Sequence, residues 1–131
     1  MESRVTVERC DCDEAGTVFN LNYLYWFDCA FQRLLRSRGL SQRELKQHFE
    51  AVTPLVEAGA RFRASVRYDD ELPVEARVTE WKDRRFRVGY TLRSGGAVVV
   101  EGFALRAWAL VGADGRFSGA FVSTEFKDMM S

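Results

Sequence analysis

Hydrophobic and polar positions along this chain change their period twice. Val5 and Val7 alternate with polar neighbours, which predicts a first strand. Tyr23, Leu24, Phe27, Ala30, Phe31, Leu34 and Leu35 then recur at helical spacing and mark one broad apolar face. Gly39 supplies a stop for that helix. Ser41-Gln-Arg-Glu44 reads as a capping box for a short second helix ending near Phe49.

After Pro54 the period becomes two. Phe62, Ala64 and Val66 alternate with Arg61, Arg63 and Arg67, until Asp69-Asp70 breaks the run. Val74, Ala76 and Val78 alternate with Glu75, Arg77 and Thr79. Phe86, Val88, Tyr90 and Leu92 alternate with Arg85, Arg87 and Arg93. Ser94-Gly95-Gly96 is a turn, and the apolar run from Ala97 to Leu110 reads as a central strand. Asp114-Gly115 turns into a last strand around Arg116 to Phe121, and Ser123 to Met130 forms a terminal helical turn. Strands joined by short turns pair antiparallel. One apolar helix followed by such a run predicts an α+β layout, with an antiparallel sheet around the helix.

At 131 residues the chain, 1–131, is expected to form one domain. Hydrophobic residues make up 47% of it, enough for a real core, so a disordered reading fails. Nineteen basic and nineteen acidic residues cancel, which removes global steering toward nucleic acid. Cys10, Cys12 and Cys29 are odd in number and lack framework spacing, which fits a reducing compartment better than a disulfide scaffold. No zinc-type ligand pairs occur, so no metal is expected. The N-terminus lacks an apolar signal core, and no run of about 18 apolar residues appears. A cytoplasmic protein with no membrane span is the expectation.

The densest chemistry lies in Asp13 to Phe27, DEAGTVFNLNYLYWF. A carboxylate precedes a Gly-containing loop that enters the apolar helix through Asn20 and Asn22. A helix start offers unpaired N–H groups and partial positive charge, which suit a developing oxyanion. A carboxylate beside it can serve as nucleophile or as general base. Asp13 also suits a plain turn, and Asp11 and Glu14 are rivals; in an extended segment Asp11 and Asp13 would share one side. Gly16 lets backbone approach a ligand or simply makes a tight turn. Asn20 or Asn22 is an ordinary helix N-cap residue.

This stretch resembles the active-site segment of hotdog-fold acyl-CoA thioesterases, through Asp13, Gly16, Val18, Tyr23 and Trp26-Phe27. Asp11-Cys12-Asp13 and Asp28 bring it closest to the 4-hydroxybenzoyl-CoA thioesterase branch. The likeness continues through Tyr68-Asp69-Asp70 and Glu80-Trp81 into Lys82 to Arg87. The resemblance implies a hotdog fold, a long central helix wrapped by one antiparallel sheet of five or six strands. It implies that Asp13 is catalytic and that the backbone N–H at Asn20 binds the thioester oxygen. The nearest relatives carry an aromatic residue at the Asn20 position, so the pocket lining differs here. It further implies that Tyr23, Trp26 and Phe27 line the substrate site and that Asp28 meets a ring hydroxyl of an aryl acyl group. As a helix residue beside the apolar face, Asp28 also suits plain solvation.

Lys82, Arg84, Arg85 and Arg87 cluster around Asp83. Such a cluster suits the phosphates of coenzyme A, and equally a solvated strand face. With Trp81 and Phe86 beside it, single-stranded nucleic acid is a third reading, which zero net charge opposes. His48, the sole histidine, lies far from Asp13 in sequence and gives no triad, and Cys29 reads as packing. Related dehydratases need a histidine near the start of the main helix, and none is present. The reading is therefore an acyl-CoA thioesterase needing no cofactor, because a thioester is already activated. The alternative is a non-catalytic acyl-CoA or acyl-carrier binding module of the same fold. Open sheet edges predict a homo-oligomer, a dimer or a dimer-paired tetramer.

Overall fold

The structure, a computed structural model, describes residues 1–12, 20–67 and 69–131, without the side chains of Asn20 and Leu21. A first strand, β1 (Glu2–Thr6), leads through a 3-10 turn (Arg9–Asp11) toward helix α1 (Asn20–Ser37) and helix α2 (Gln42–Phe49). Strands β2 (Ala51–Val52), β3 (Leu55–Phe62), β4 (Glu71–Trp81), β5 (Arg85–Ser94), β6 (Ala97–Ala107), β7 (Ala109–Val111) and β8 (Phe117–Gly119) follow. Helix α3 (Thr124–Met130) closes the chain. This is an α+β protein built on a five-stranded antiparallel sheet of order β1-β4-β5-β6-β3.

Local chemistry explains where the helices stop and start. Gly39 adopts φ +72°, and Leu40 N–H bonds the Leu35 carbonyl at 2.8 Å, a Schellman-type ending for α1. Ser41 Oγ accepts from the Glu44 N–H at 3.3 Å and caps α2, as its spacing predicts. Ser123 caps α3 in the same way. Gly95 and Gly96, both with positive φ, join β5 to β6, the turn geometry that favours glycine.

The period-2 residues sort cleanly onto two faces. Val74, Ala76, Phe86, Val88, Tyr90, Leu92, Val100 and Ala104 are buried on the inner face, where Tyr23, Phe27, Phe31, Leu34 and Leu35 of α1 pack. Arg85, Arg87 and Glu101 point outward. At one end of the sheet, rings of Phe49, Trp81, Phe86 and Trp108 surround Phe126 of α3, with centroids between 4.7 and 6.1 Å from it.

Three expectations need correction. The alternation from Arg61 to Arg67 is not a strand: β3 ends at Phe62, and the N–H groups of Arg63 and Ala64 both turn onto the Val99 carbonyl. Val66 is buried because the chain bends inward there, and a bend can mimic the parity of a strand. The apolar run from Ala97 to Leu110 splits at Trp108, whose burial against Phe126 ends β6; β6 itself is an interior strand as expected, paired with β5 on one side and β3 on the other. The strands also form two sheets instead of one, because β2, β7 and β8 make a separate three-stranded sheet.

Phe27 and β6 meet without slack. The Phe27 ring stacks on Tyr90, centroids 4.8 Å apart and planes 7° from parallel, and its other flank rests on Gly102. A Cβ at Gly102 would lie inside van der Waals contact with three ring carbons of Phe27. Gly102→Ala should cost about 1–3 kcal/mol, the scale of overpacking a close-packed core. Urea unfolding checks this, and an unchanged midpoint would mean that the ring has room to move.

Candidate active site

Helix periodicity gives α1 three different edges. Tyr23, Phe27, Phe31 and Leu34 enter the core. Leu24, Phe27 and Asp28, spaced three and four apart, face a small cavity between α1, β3, β5 and β6. Asn22, Tyr25, Trp26, Cys29 and Arg33 face a groove against β1. The Asn22 amide donates to the Asp11 carbonyl at 2.8 Å, so it ties the 3-10 turn to the first turn of α1 instead of capping the helix. Asp11 also departs from the extended placement beside Asp13. Its carboxylate turns back to accept the Glu8 N–H at 2.9 Å within the 3-10 turn. Asp13, Glu14 and Gly16 lie outside the described residues, as does the Asn20 side chain; Asn20 is the first residue of α1.

The cavity encloses about 160 Å³ and is walled mainly by carbon, with Leu24, Phe27, Leu55 and Ala104 among its lining. Its polar end holds Asp28, Arg106 and Tyr90. Arg106 is the pivot. Its side chain is only 8% exposed, against 53% for Asp28, and one guanidinium nitrogen pairs with Asp28 Oδ1 at 2.5 Å. A second nitrogen donates to the Thr53 carbonyl at 2.9 Å, and the guanidinium lies over the Phe31 ring. A buried cation needs such a counter-charge, since removing one partner strands the other. Asp28 is thus an ion-paired residue at a cavity mouth.

Tyr90 completes the polar end. It is 3% exposed, and its hydroxyl has no hydrogen-bond partner among the described residues; the same holds for Arg106 Nε. Burial raises the Tyr90 phenol well above its ordinary pKa; the Arg106 charge opposes that shift and the Asp28 charge adds to it. The phenol therefore stays protonated and keeps a donor to offer.

Of the other expected binding residues, Tyr23 is buried in the core against Trp26 and Phe62, and Trp26 lines the β1 groove, so neither borders the cavity. The basic cluster divides. Lys82 and Arg84 sit in the β4–β5 turn, Lys82 beside Glu80 at 3.6 Å and Arg84 over the Phe121 ring. Arg85 and Arg87 point from β5 to the outer face, and Arg87 lies 4.2 Å above the Phe103 ring. Arg87 borders an open groove of about 530 Å³ with Arg61, Glu57 and Glu101. Ala58 and Phe103 line both this groove and the inner cavity.

Sequence reasoning missed Arg106, Tyr90 and Arg61 as site residues. The signal for Arg106 was parity: it shares the even positions of Val100 and Ala104, so β6 carries a charge on its inward side. Tyr90 was legible only as an inward ring. Arg61 carried no signal that set it apart, because Arg61, Arg63 and Arg67 form one run of the same parity. Among the described residues no group of His, Cys, Asp and Glu is arranged to hold a metal ion.

Comparison with known proteins agrees with this architecture. A family model described as the thioesterase-like superfamily matches residues 7–125. The 4-hydroxybenzoyl-CoA thioesterase of Pseudomonas sp. (strain CBS-3) is 33% identical over 82 residues, which span 61% of this chain and 58% of that enzyme. A gentisyl-coenzyme A thioesterase superposes with a TM-score of 0.86 at 25% identity, over 100% of both chains. A mutant 4-hydroxybenzoyl CoA thioesterase complexed with 4-hydroxybenzoyl CoA superposes with a TM-score of 0.86 at 26% identity, over 100% of this chain and 98% of that one. With a family match across nearly its whole length and the hotdog fold of these enzymes, the chain belongs to the thioesterase-like superfamily.

Proposed function

We propose that this protein hydrolyses an aryl or short acyl-CoA thioester to the free acid and coenzyme A. The observation that carries the reading is a cavity of one-ring size with a polar end, built on α1 of a thioesterase-family chain. An apolar cavity of about 150 Å³ admits a benzene ring in another protein, so about 160 Å³ suits one ring better than a long alkyl chain. Relatives named for 4-hydroxybenzoyl and gentisyl thioesters point the same way. In this reading residues 1–131 act as one domain, with α1 as the central helix of the hotdog.

Asp13 is the proposed catalytic carboxylate. Its neighbourhood supports this: the Asn22–Asp11 hydrogen bond holds the residue two before Asp13 against the first turn of α1. The N–H groups of that turn, beginning at Asn20, are unpaired by the helix and would receive the charge on the thioester oxygen. Asp13 then attacks the carbonyl carbon or draws a proton from an attacking water, and the CoA thiolate leaves. Both routes use the same carboxylate and the same donors. Gly16 would let the loop come close to the thioester. The thioester is activated already, so the reaction calls on no cofactor.

Arg87, with Arg61 across the outer groove, is proposed to hold the CoA phosphates, and Arg84, Arg85 and Lys82 add positive potential nearby. The outer groove and the acyl cavity share Ala58 and Phe103, so a thioester threaded past β3 can reach both. β3 is also a sheet edge and exposes Leu55, Val56 and Phe62. A second copy pairing along it would cover those side chains and close the site, as a dimer or a dimer-paired tetramer. Analytical ultracentrifugation returning only monomer at micromolar concentration would count against that assembly. Three free thiols fit a reducing compartment such as the cytoplasm.

Asp13→Asn should lower turnover on the best thioester at least about a hundredfold, the scale of a positioned acid–base group, with the fold kept. Thiol release measured beside far-UV circular dichroism checks it. A variant with most of its activity would move the chemistry to another group.

The Arg61→Ala, Arg87→Ala double variant should raise KM for CoA esters about tenfold or more and leave an N-acetylcysteamine ester almost unaffected. Phosphate contacts supply binding that the truncated ester never had. Equal losses on both substrates would place the CoA site elsewhere.

A further inference from the structure

Arg106 has no part in the reaction as described, yet it stands between two apolar spaces. On one side is the cavity, which Arg106 helps to line. On the other is Phe31, fully buried, whose ring centre lies 4.4 Å from the guanidinium carbon. Beyond Phe31 the rings continue. Phe31, Trp81 and Phe126 each have a centroid 5.3 to 6.1 Å from that of Phe86. The guanidinium is therefore the partition between the cavity and the aromatic core. It is held from three sides, by Asp28, by the Thr53 carbonyl and by the Phe31 ring. An apolar side chain in this place could change rotamer around an intruding methylene, as methionine does in many cores. Arg106 cannot yield in that way. Any displacement parts it from Asp28 and Thr53 and strands a buried cation.

We propose that Arg106 is the inner wall of the acyl cavity and sets the length of acyl group the protein accepts, with Asp28 and Thr53 as the positioning residues that hold it. This rests on the cavity being the acyl site. It goes beyond the fit of one ring, because it assigns the limit to one side chain and makes that limit electrostatic. A space of about 160 Å³ takes about six carbons, since a benzene ring fills about 150 Å³ in another protein. Past that length an added methylene meets the guanidinium and gains nothing. With the guanidinium gone, the space it fills joins the cavity up to Phe31. Each further methylene should then raise affinity up to about fourfold, the worth of burying one CH₂.

The test titrates non-hydrolysable 2-oxoalkyl-CoA thioethers with butyl, hexyl, octyl and decyl tails calorimetrically against the full chain. With the unaltered protein, affinity should rise to the hexyl compound and then level or fall. The Arg106→Leu, Asp28→Asn double variant removes both charges together, so neither is stranded. Its decyl-over-hexyl affinity ratio should rise about tenfold, the worth of two or more newly buried methylenes. Arg106→Ala with Asp28→Asn opens more space and should raise the ratio further. Arg106→Lys keeps a cation beside Asp28 and should hold the ratio within about threefold of its original value. Each ratio compares two ligands on one protein, so a change in folded fraction cancels, and a role confined to folding would move no ratio. Three results would overturn the inference: an unaltered protein that binds the decyl compound about tenfold more tightly than the hexyl, an unchanged ratio in both double variants, or a rise in Arg106→Lys equal to theirs. Thiol release from the matching acyl-CoA esters separates this inference from the hydrolase reading. Release undiminished up to the longest ester overturns the inference alone. A length limit in binding with no release from any ester supports the inference and removes the hydrolase reading.

Discussion

The apolar face of α1 can leave water only by lying on the inner face of the five-stranded sheet, and every site residue takes its place from that packing. Phe27 is the tightest point of the contact, held between Tyr90 and Gly102. Because Phe27 is fixed, the neighbouring Leu24 and Asp28 must emerge along the same edge of the helix, toward β3 and β6. The cavity is thus what remains where the helix and the edge of the sheet diverge. Gly102, having no side chain, sets how closely they approach.

Burying a guanidinium on β6 adds a second condition. Arg106 has given up most of its hydration, and it is satisfied by an ion pair, a backbone carbonyl and an aromatic face. Apolar residues of similar volume would serve stability as well or better, by the general behaviour of buried ion pairs. A charge retained at such cost, next to a cavity and beside an unpartnered tyrosine, fits a role in ligand recognition. Two of the unpaired buried groups among the described residues, Tyr90 Oη and Arg106 Nε, border the cavity, as expected of a site whose partner is a ligand.

The outer face of the sheet follows different rules. Charges of opposite sign meet beside it, as with Glu101 and Arg63 just past the end of β3 at 3.1 Å, and such exposed pairs contribute little to stability. What distinguishes the stretch near Arg87 is the groove it shares with Arg61 and Phe103, not its net charge. A basic run in sequence therefore splits in space, because alternate residues of a strand face opposite ways and turn residues face neither.

The α+β class, the helix with its stop at Gly39, the cap at Ser41 and the faces of β4 and β5 were legible in the sequence by itself, because each depends on local periodicity or on one residue's backbone chemistry. The family likeness around Asp13 was legible too, as a motif, although Asp13 and Gly16 lie outside the described residues. Tertiary structure decided the rest. Whether Arg61 to Val66 is strand or bend depends on how Val99 receives it, and the division of the Ala97 to Leu110 run depends on Trp108 meeting Phe126. Asp28 and Arg106 are 78 positions apart, and no local pattern announces a pair at that separation. Their meeting is set by the register of β6 against β5 and by the rotation of α1 on the sheet, both consequences of packing the whole core at once.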